Sequence, residues 1–196
     1  MKKQNMFATA MHVANFDKHE KNKELYKRFI DETIASQANN STTESYQSTS
    51  SIRSLHSIDV FDDLKKCISD CCLQLVKDYG ISKEMNLAIA SMWCDVSKHG
   101  QITTPHYHSK GFIQAAYFLD TPPNSGKLNV IQDLTDRSYF ASIGVQDVNP
   151  LNSCHFMSLI PEGSIFFMPS HLTTSYSPNN DKADRYVVNC LLEATY

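Results

Sequence analysis

The sequence has no long apolar run, no excess of positive charge and no cysteine pair with metal-ribbon spacing. No window reaches the apolar length of a membrane span, and no apolar run long enough for a signal peptide follows Lys2 and Lys3. A formal net charge of -3 provides no basic surface for nucleic acid. We therefore expect a soluble cytoplasmic protein with no membrane or nucleic-acid partner.

The six cysteines predict neither a zinc ribbon nor a disulfide framework. None is spaced as Cys-x-x-Cys, and Cys71 and Cys72 are adjacent on a predicted helix. Without a secretory signal, we expect free thiols that pack as small apolar side chains. The chain also has no glycine-rich phosphate loop and no serine or cysteine nucleophile in a recognisable turn.

The first third of the chain has the apolar spacing of helices. Residues 21–36 carry Leu25 and Phe29 on one amphipathic face, and a second helix is predicted from about residue 58 to residue 79. The Ser/Thr/Asn-rich segment 37–54 lies between them and has no apolar period.

From Met85 onward the pattern is typical of strands, with short β-branched and aromatic runs broken by turn residues. Many strands without intervening helices indicate an antiparallel sandwich or barrel. We expect one domain over residues 1–196, with a helical layer and loop in 1–84 and a β-barrel core in 85–196. The long insert 133–153 is predicted to be a lid or binding loop. The predicted strands are 86–96, 101–108, 112–119, 127–131, 155–160, 164–168, 173–177 and 185–193.

Two histidines, His106 and His108, lie one residue apart on a predicted strand. Side chains alternate along a strand, so both imidazoles project from the same face and form half of a transition-metal site. The alternative is an ordinary surface strand. Pro105 before the pair and Gly111 after it place the pair at a strand end, near a barrel mouth, where small barrels bind ligands.

Arg185 opens the last apolar strand. An arginine there is often a surface charge, but an inward guanidinium would hold a carboxylate through two parallel hydrogen bonds. Asn189, four residues further on, would share its face.

Over nearly its full length the chain resembles the phage and bacterial branch of the 2-oxoglutarate/Fe(II)-dependent oxygenases, which are prolyl-hydroxylase-like proteins. Short motifs carry the resemblance, and they occur in the family's order. The motifs are Asn5-Met6-Phe7-Ala8-Thr9, Tyr46-Gln47-Ser48-Thr49, Ser91-Met92-Trp93-Cys94-Asp95-Val96-Ser97-Lys98-His99-Gly100, Pro105-His106-Tyr107-His108, Tyr117-Phe118-Leu119, Ser125-Gly126, residues 161–170 and Arg185.

The resemblance implies a double-stranded β-helix, or jelly roll, packed against two helices. It also implies a dioxygenase that uses Fe(II), 2-oxoglutarate and O₂, forms succinate and CO₂, and hydroxylates a small-molecule or peptide substrate. His106 and His108 would bind Fe(II), Arg185 would hold the far carboxylate of 2-oxoglutarate, and Asn189 would assist.

The distal part of the metal motif departs from the family. The pattern Pro-Ser-Trp-Leu-x-His-x-Val-x-Pro stands here as residues 169–178, with Thr174 in place of the histidine and His171 in place of the tryptophan. A threonine hydroxyl is a poor ligand for Fe(II). We therefore take His171 as the third ligand, which requires a turn or bulge over 169–172 because its strand parity is odd.

Two smaller departures affect the co-substrate site. Phe118 replaces a tyrosine that is common in related oxygenases, and Tyr117 is expected to reach the site from a shifted register. Val187 stands where the family favours serine. Two other functions fit this pattern: a jelly-roll binding protein that has lost its metal, and a three-histidine metal dioxygenase that does not use 2-oxoglutarate, in which Arg185 would be structural.

Overall fold

The structure is a computed structural model that describes residues 9–38, 47–49, 54–82, 84–132, 155–159 and 161–195. The predicted insert 133–153 and most of the polar segment 37–54 lie outside the described residues.

Two antiparallel sheets pack face to face. In the described residues, six strands form one sheet in the order β1-β8-β5-β10-β3-β2, and four form the other in the order β4-β9-β6-β7. The strands are β1 His12–Asn15, β2 Gln47–Ser48, β3 Asn86–Ser97, β4 Thr103–His106, β5 Ile113–Asp120, β6 Leu128–Ile131, β7 His155–Ser158, β8 Ser164–Pro169, β9 Thr173–Tyr176 and β10 Arg185–Thr195.

Two helices cover the outer face of the larger sheet. They are α1, His19–Ala38, and α2, Asp62–Asp78. The aspartates Asp62 and Asp63 occupy the first turn of α2, and Gly80 follows its end with a φ of 63°. Neither of these described helices has the length and apolar character needed to cross a bilayer.

The predicted fold class, a jelly roll with two helices, is confirmed. All eight predicted strands are present, with ends shifted by at most two residues. The short strands β1 and β2 were not predicted, and they pair with β8 and β3. Backbone pairing in these two strands holds the N-terminal segments against the sheet.

Alternation along β10 separates two apolar cores. Tyr186 and Val188 face the helices, whereas Val187 packs between the sheets with Phe118 of β5 and Leu128 of β6. Because residues 185, 187 and 189 share one face, Arg185 and Asn189 also point into the space between the sheets.

Helix α1 is held to the sheet by a polar cluster around Glu162. This carboxylate accepts hydrogen bonds from Lys23 Nζ at 2.8 Å and from His19 Nε2 at 3.0 Å. The other ring nitrogen of His19 lies 2.7 Å from the Tyr117 hydroxyl. Burial alone would raise the pKa of Glu162, but the hydrogen bonds from Lys23 and His19 outweigh it and lower the pKa to about 2.

We expect Glu162→Gln to lower the free energy of unfolding at pH 7 by about 1–2 kcal/mol, because the folded state then loses charged hydrogen bonds. A depressed carboxyl pKa stabilises the folded state above its ordinary value of 4.5, and this contribution disappears as the pH falls towards about 2. Urea unfolding between pH 2.5 and 7 should therefore show a smaller pH dependence in the variant. Glu24→Gln, at an exposed position of the same helix, is the control, and an equal loss there would contradict the assignment.

Candidate active site

The two histidines lie together at one end of the space between the sheets. His106 ends β4 and is paired with Thr174 of β9. Directly opposed residues of an antiparallel pair share a face, so the buried side chain of Thr174 indicates that His106 also faces inward. His108 follows the strand, and its ring centroid lies 5.1 Å from that of His106. A backbone hydrogen bond of 3.0 Å from His108 to the Ser170 carbonyl holds the segment in place.

A hydrogen bond fixes the tautomer of the neutral His106 ring. Its Nδ1 donates to the carbonyl oxygen of Thr104 at 2.9 Å, and a carbonyl can only accept. Nδ1 therefore carries the proton, and in the neutral ring Nε2 keeps its lone pair. Metal-binding histidines are commonly oriented in this way, through the nitrogen that does not bind the metal.

Asp95 organises the wall beside His108. Its Oδ2 accepts hydrogen bonds from Trp93 Nε1 at 3.2 Å and from Asn189 Nδ2 at 2.8 Å, and its Oδ1 accepts one from Ser48 at 2.6 Å. The Trp93 ring lies 5.3 Å from the His108 ring. Asn189 lies on the same face of β10 as Arg185, as predicted, and its side-chain amide donates to Asp95. Sequence analysis gave Asp95 no role, although a carboxylate inside a buried strand was a usable signal.

Arg185 is buried in the space between the sheets, with 2% of its surface exposed. Its Nη1 donates to the backbone oxygens of Ser125 and Ser177, and its Nη2 donates to Ser97 Oγ at 3.1 Å. Among the described residues, its buried Nε has no hydrogen-bond partner. Burial lowers the pKa of Arg185 below its usual value, but a guanidinium remains charged at neutral pH. Nε and Nη2 lie on the same edge of the guanidinium, so this edge can receive a carboxylate.

The turn before β6 holds the other edge of Arg185. Gly126 has a φ of 92°, and a side chain there would collide with the backbone oxygens of Ser177 and Pro178. Only glycine allows the turn to approach this closely. The close approach brings the carbonyls of Ser125 and Ser177 onto one guanidinium nitrogen.

Strand β9 connects the two ends of the site. Thr174 is opposite His106, and Tyr176 lies over Arg185, with 4.8 Å between the ring centre and the guanidinium carbon. Two residues along a strand span about 7 Å and share a face. The histidine pair and the arginine therefore border one inner space, separated by roughly one strand repeat.

Within the described part of the chain, no third histidine completes a metal-ligand group with this pair. Thr174, at the position of the missing imidazole, is buried, and its hydroxyl has no hydrogen-bond partner among the described residues. His171 lies in the turn that follows β8, as its prediction required, but its side chain is exposed. In the described part of the chain, the one group of three ligand atoms within 4.8 Å is His19, Glu20 and Glu162. The role of His171 stays a prediction.

The expectation for Tyr117 is wrong. Its side chain lies in the core beneath the helices, and its hydroxyl is hydrogen-bonded to His19 at 2.7 Å. Alternation along β5 turns it away from the inner space, and Phe118 faces inward instead.

Comparison with known families identifies the segment that contains the site. Residues 91–189 match a family described as putative 2OG-Fe(II) oxygenase. This segment includes all five predicted site residues and half of the chain. No curated protein matches the sequence.

Solved structures share the fold at low identity. A prolyl-4-hydroxylase from Pseudomonas putida is 11% identical with a TM-score of 0.55, over 94% of this chain and 88% of that one. HygX from Streptomyces hygroscopicus, solved with nickel and 2-oxoglutarate, is 12% identical with a TM-score of 0.60, over 95% and 83%. The viral collagen prolyl hydroxylase of Paramecium Bursaria Chlorella virus-1 is 11% identical with a TM-score of 0.57, over 95% and 96%.

We expect Asp95→Ala to lower the free energy of unfolding by about 2–4 kcal/mol, because it leaves the buried donors of Trp93 and Asn189 without an acceptor. Asp95→Asn keeps one acceptor oxygen at the same place and should cost clearly less. Denaturant unfolding of the two variants measures the difference. Equal losses would show that hydrogen bonding to Asp95 does not support this wall.

Proposed function

Because the chain belongs to the 2OG-Fe(II) oxygenase family, as its motifs predicted, we propose that it is a dioxygenase which hydroxylates a small-molecule or peptide substrate. The cofactors of this family, Fe(II) and 2-oxoglutarate, are those that the sequence predicted. Turnover would form succinate and CO₂ from 2-oxoglutarate. The supporting observation is the buried edge of Arg185, whose Nε lacks a partner among the described residues and borders the same inner space as His106.

The residues present fit most of this chemistry. His106 Nε2 and the imidazole of His108 would hold the metal, and neutral imidazoles suit Fe(II). Arg185 would bind the far carboxylate of 2-oxoglutarate through Nε and Nη2. When bound, Fe(II) and 2-oxoglutarate would activate O₂, which is the oxidant: one oxygen atom would enter succinate and the other the hydroxylated product. Phe118 and Val187 form apolar walls of the inner space, which keep water from this site.

Asp95 and Trp93 would position the metal-binding end. Asp95 holds the indole, and the indole packs against the edge of the His108 ring. In this arrangement Asn189 acts through Asp95, because its amide donates there.

The third metal ligand is the decisive point. We propose that His171 supplies it, since the exposed turn that carries it directly precedes β9 and the buried Thr174. The first alternative is a jelly-roll binding protein without a metal, which the exposed position of His171 favours. The second, a three-histidine dioxygenase without 2-oxoglutarate, gives no role to the unsatisfied Nε of Arg185.

We also propose that residues 1–196 form one domain. The pairing of β1 with β8 and of β2 with β3 supports this, because both N-terminal strands complete the sheet that carries Arg185.

Anaerobic titration with Fe(II) and 2-oxoglutarate tests the function. We expect a visible metal-to-ligand charge-transfer band in the wild-type protein and none in His106→Ala, because that variant loses one of the two paired imidazoles. His99→Ala is the matched control, since His99 lies in a turn and interacts with the Asp181 carbonyl at 3.0 Å. A wild-type protein without the band would favour the metal-free binding protein.

The third ligand is tested by two further variants. His171→Ala should abolish the band if His171 binds the metal. Thr174→His should tighten Fe(II) binding by about tenfold or more, because it adds an imidazole opposite His106. Thr174→Val, which has nearly the same volume and no imidazole, is the control. An unchanged band in His171→Ala would exclude His171 as the ligand.

A further inference from the structure

Two half-buried cysteines lie about one turn apart on α2. Cys67 and Cys71 are four residues apart, so their side chains lie next to each other on one face of the helix. Both pack at the edge of the core beneath the helices, and both keep part of their surface exposed. This pair lies outside the inner space between the sheets, and the proposed function gives it no role.

The other described cysteines are buried. Cys72, Cys94 and Cys190 have at most 4% of their surface exposed. Burial raises the pKa of Cys72 to about 11, so its thiol keeps its proton at neutral pH. The five described cysteines are free thiols, as the sequence predicted, and among these five only Cys67 and Cys71 form a pair that solvent reaches.

The two thiols of the pair interact directly. The Cys67 thiol donates a hydrogen bond to the Cys71 sulfur, and this lowers the pKa of Cys71 to about 7. The same hydrogen bond, together with burial, raises the pKa of Cys67 well above its usual value. Near neutral pH the pair therefore contains one thiol and one thiolate, which is the form of cysteine that binds metals.

Helix geometry opposes a disulfide between these two residues. Side chains four residues apart on a helix have Cβ atoms about 5–6 Å apart. A disulfide needs Cβ atoms only about 3.5–4.5 Å apart. An ion bonded to both sulfurs bridges a wider gap, because each metal–sulfur bond is about 2.3 Å long. A bridging ion therefore fits the undistorted helix better than a sulfur–sulfur bond does.

The ligand set selects the kind of ion. Thiolates are soft ligands that favour Cu(I) and Zn(II), and zinc is almost always held by four ligands. Within the described ranges, the one group of three ligand atoms is His19, Glu20 and Glu162, which includes neither cysteine. Two sulfurs alone satisfy Cu(I), which forms linear two-coordinate complexes. Asp17 and Asp70 add negative charge beside Cys67, and this favours a cation.

We propose that Cys67 and Cys71 bind one Cu(I) ion through their two sulfurs. Binding forms two copper–sulfur bonds and releases the proton of the Cys67 thiol to solvent, and no electron is transferred. The site belongs to the helical layer on the outer face of the large sheet, so it is separate from the histidine pair and does not rest on the proposed function.

Anaerobic titration with Cu(I) tests this site. The reduced protein competes for the ion with bicinchoninic acid, a coloured Cu(I) chelator, and ultraviolet absorption reports the thiolate-to-copper charge transfer. The experiment compares the wild type, Cys67→Ser and Cys71→Ser. Cys72→Ala is the matched control on the same helix, and His106→Ala is included because imidazoles also bind copper.

We expect the wild type to take one thiolate-bound equivalent of Cu(I) from the chelator, and each serine variant to lose it. The affinity should fall by more than about a hundredfold, because loss of an outer-shell partner of a metal ligand already costs roughly 10–100-fold. Cys72→Ala and His106→Ala should retain this equivalent. Thermal unfolding checks that the serine variants are folded.

Alkylation of the wild type is a second measurement that needs no variant. Iodoacetamide should label the pair in the metal-free protein, and one equivalent of Cu(I) should protect it, as read by peptide mapping. A pair that stays unprotected would reject the site. Equal protection by Zn(II) would reject the two-coordinate assignment. Retention of the equivalent in Cys67→Ser, with its loss in Cys72→Ala or His106→Ala, would place the ion elsewhere and overturn the proposal.

Discussion

A positive charge buried between two sheets constrains the inner space of this protein. A buried guanidinium must be hydrogen-bonded, and among the described residues Arg185 meets this condition at Nη1 and Nη2 but not at Nε. Backbone carbonyls fix its outer edge, Ser97 takes one donor, and the remaining edge faces the interior. The carboxylate that we propose as the ligand of Arg185 would bind at this edge.

Because side chains alternate along a strand, the residues around Arg185 face two different cores. On β10 the residues on either side of Val187 pack under the helices, whereas Arg185, Val187 and Asn189 face the opposite sheet. The helical layer thus stabilises the large sheet through its outer face, with Glu162 and His19 as the polar link. The inner face carries polar groups, and Asp95 accepts hydrogen bonds from Trp93, Asn189 and Ser48.

Much of the fold could be predicted from local pattern, because strands such as β5 and β10 contain apolar runs. The strands β1 and β2 could not, since four and two residues are too few to show a period. In the site, strand parity correctly placed Arg185 and Asn189 on one face. It could not show that Asn189 donates to Asp95, because that contact joins residues 94 positions apart. The prediction for Tyr117 failed because neighbouring residues of a strand face opposite sides, and Phe118 is the one that faces inward.

The Ser125–Gly126 turn has a consequence for how such a site can be tuned. The turn is a short connection before β6, yet the Ser125 carbonyl accepts a hydrogen bond from the buried guanidinium of Arg185. A change in the length or conformation of this connection would move the guanidinium while leaving every strand in register. If Arg185 binds a carboxylate as proposed, variation in this loop alone would change the affinity for it and leave the two histidines in place. We would then expect relatives that differ only in this connection to differ in their affinity for the carboxylate and to have the same strand register.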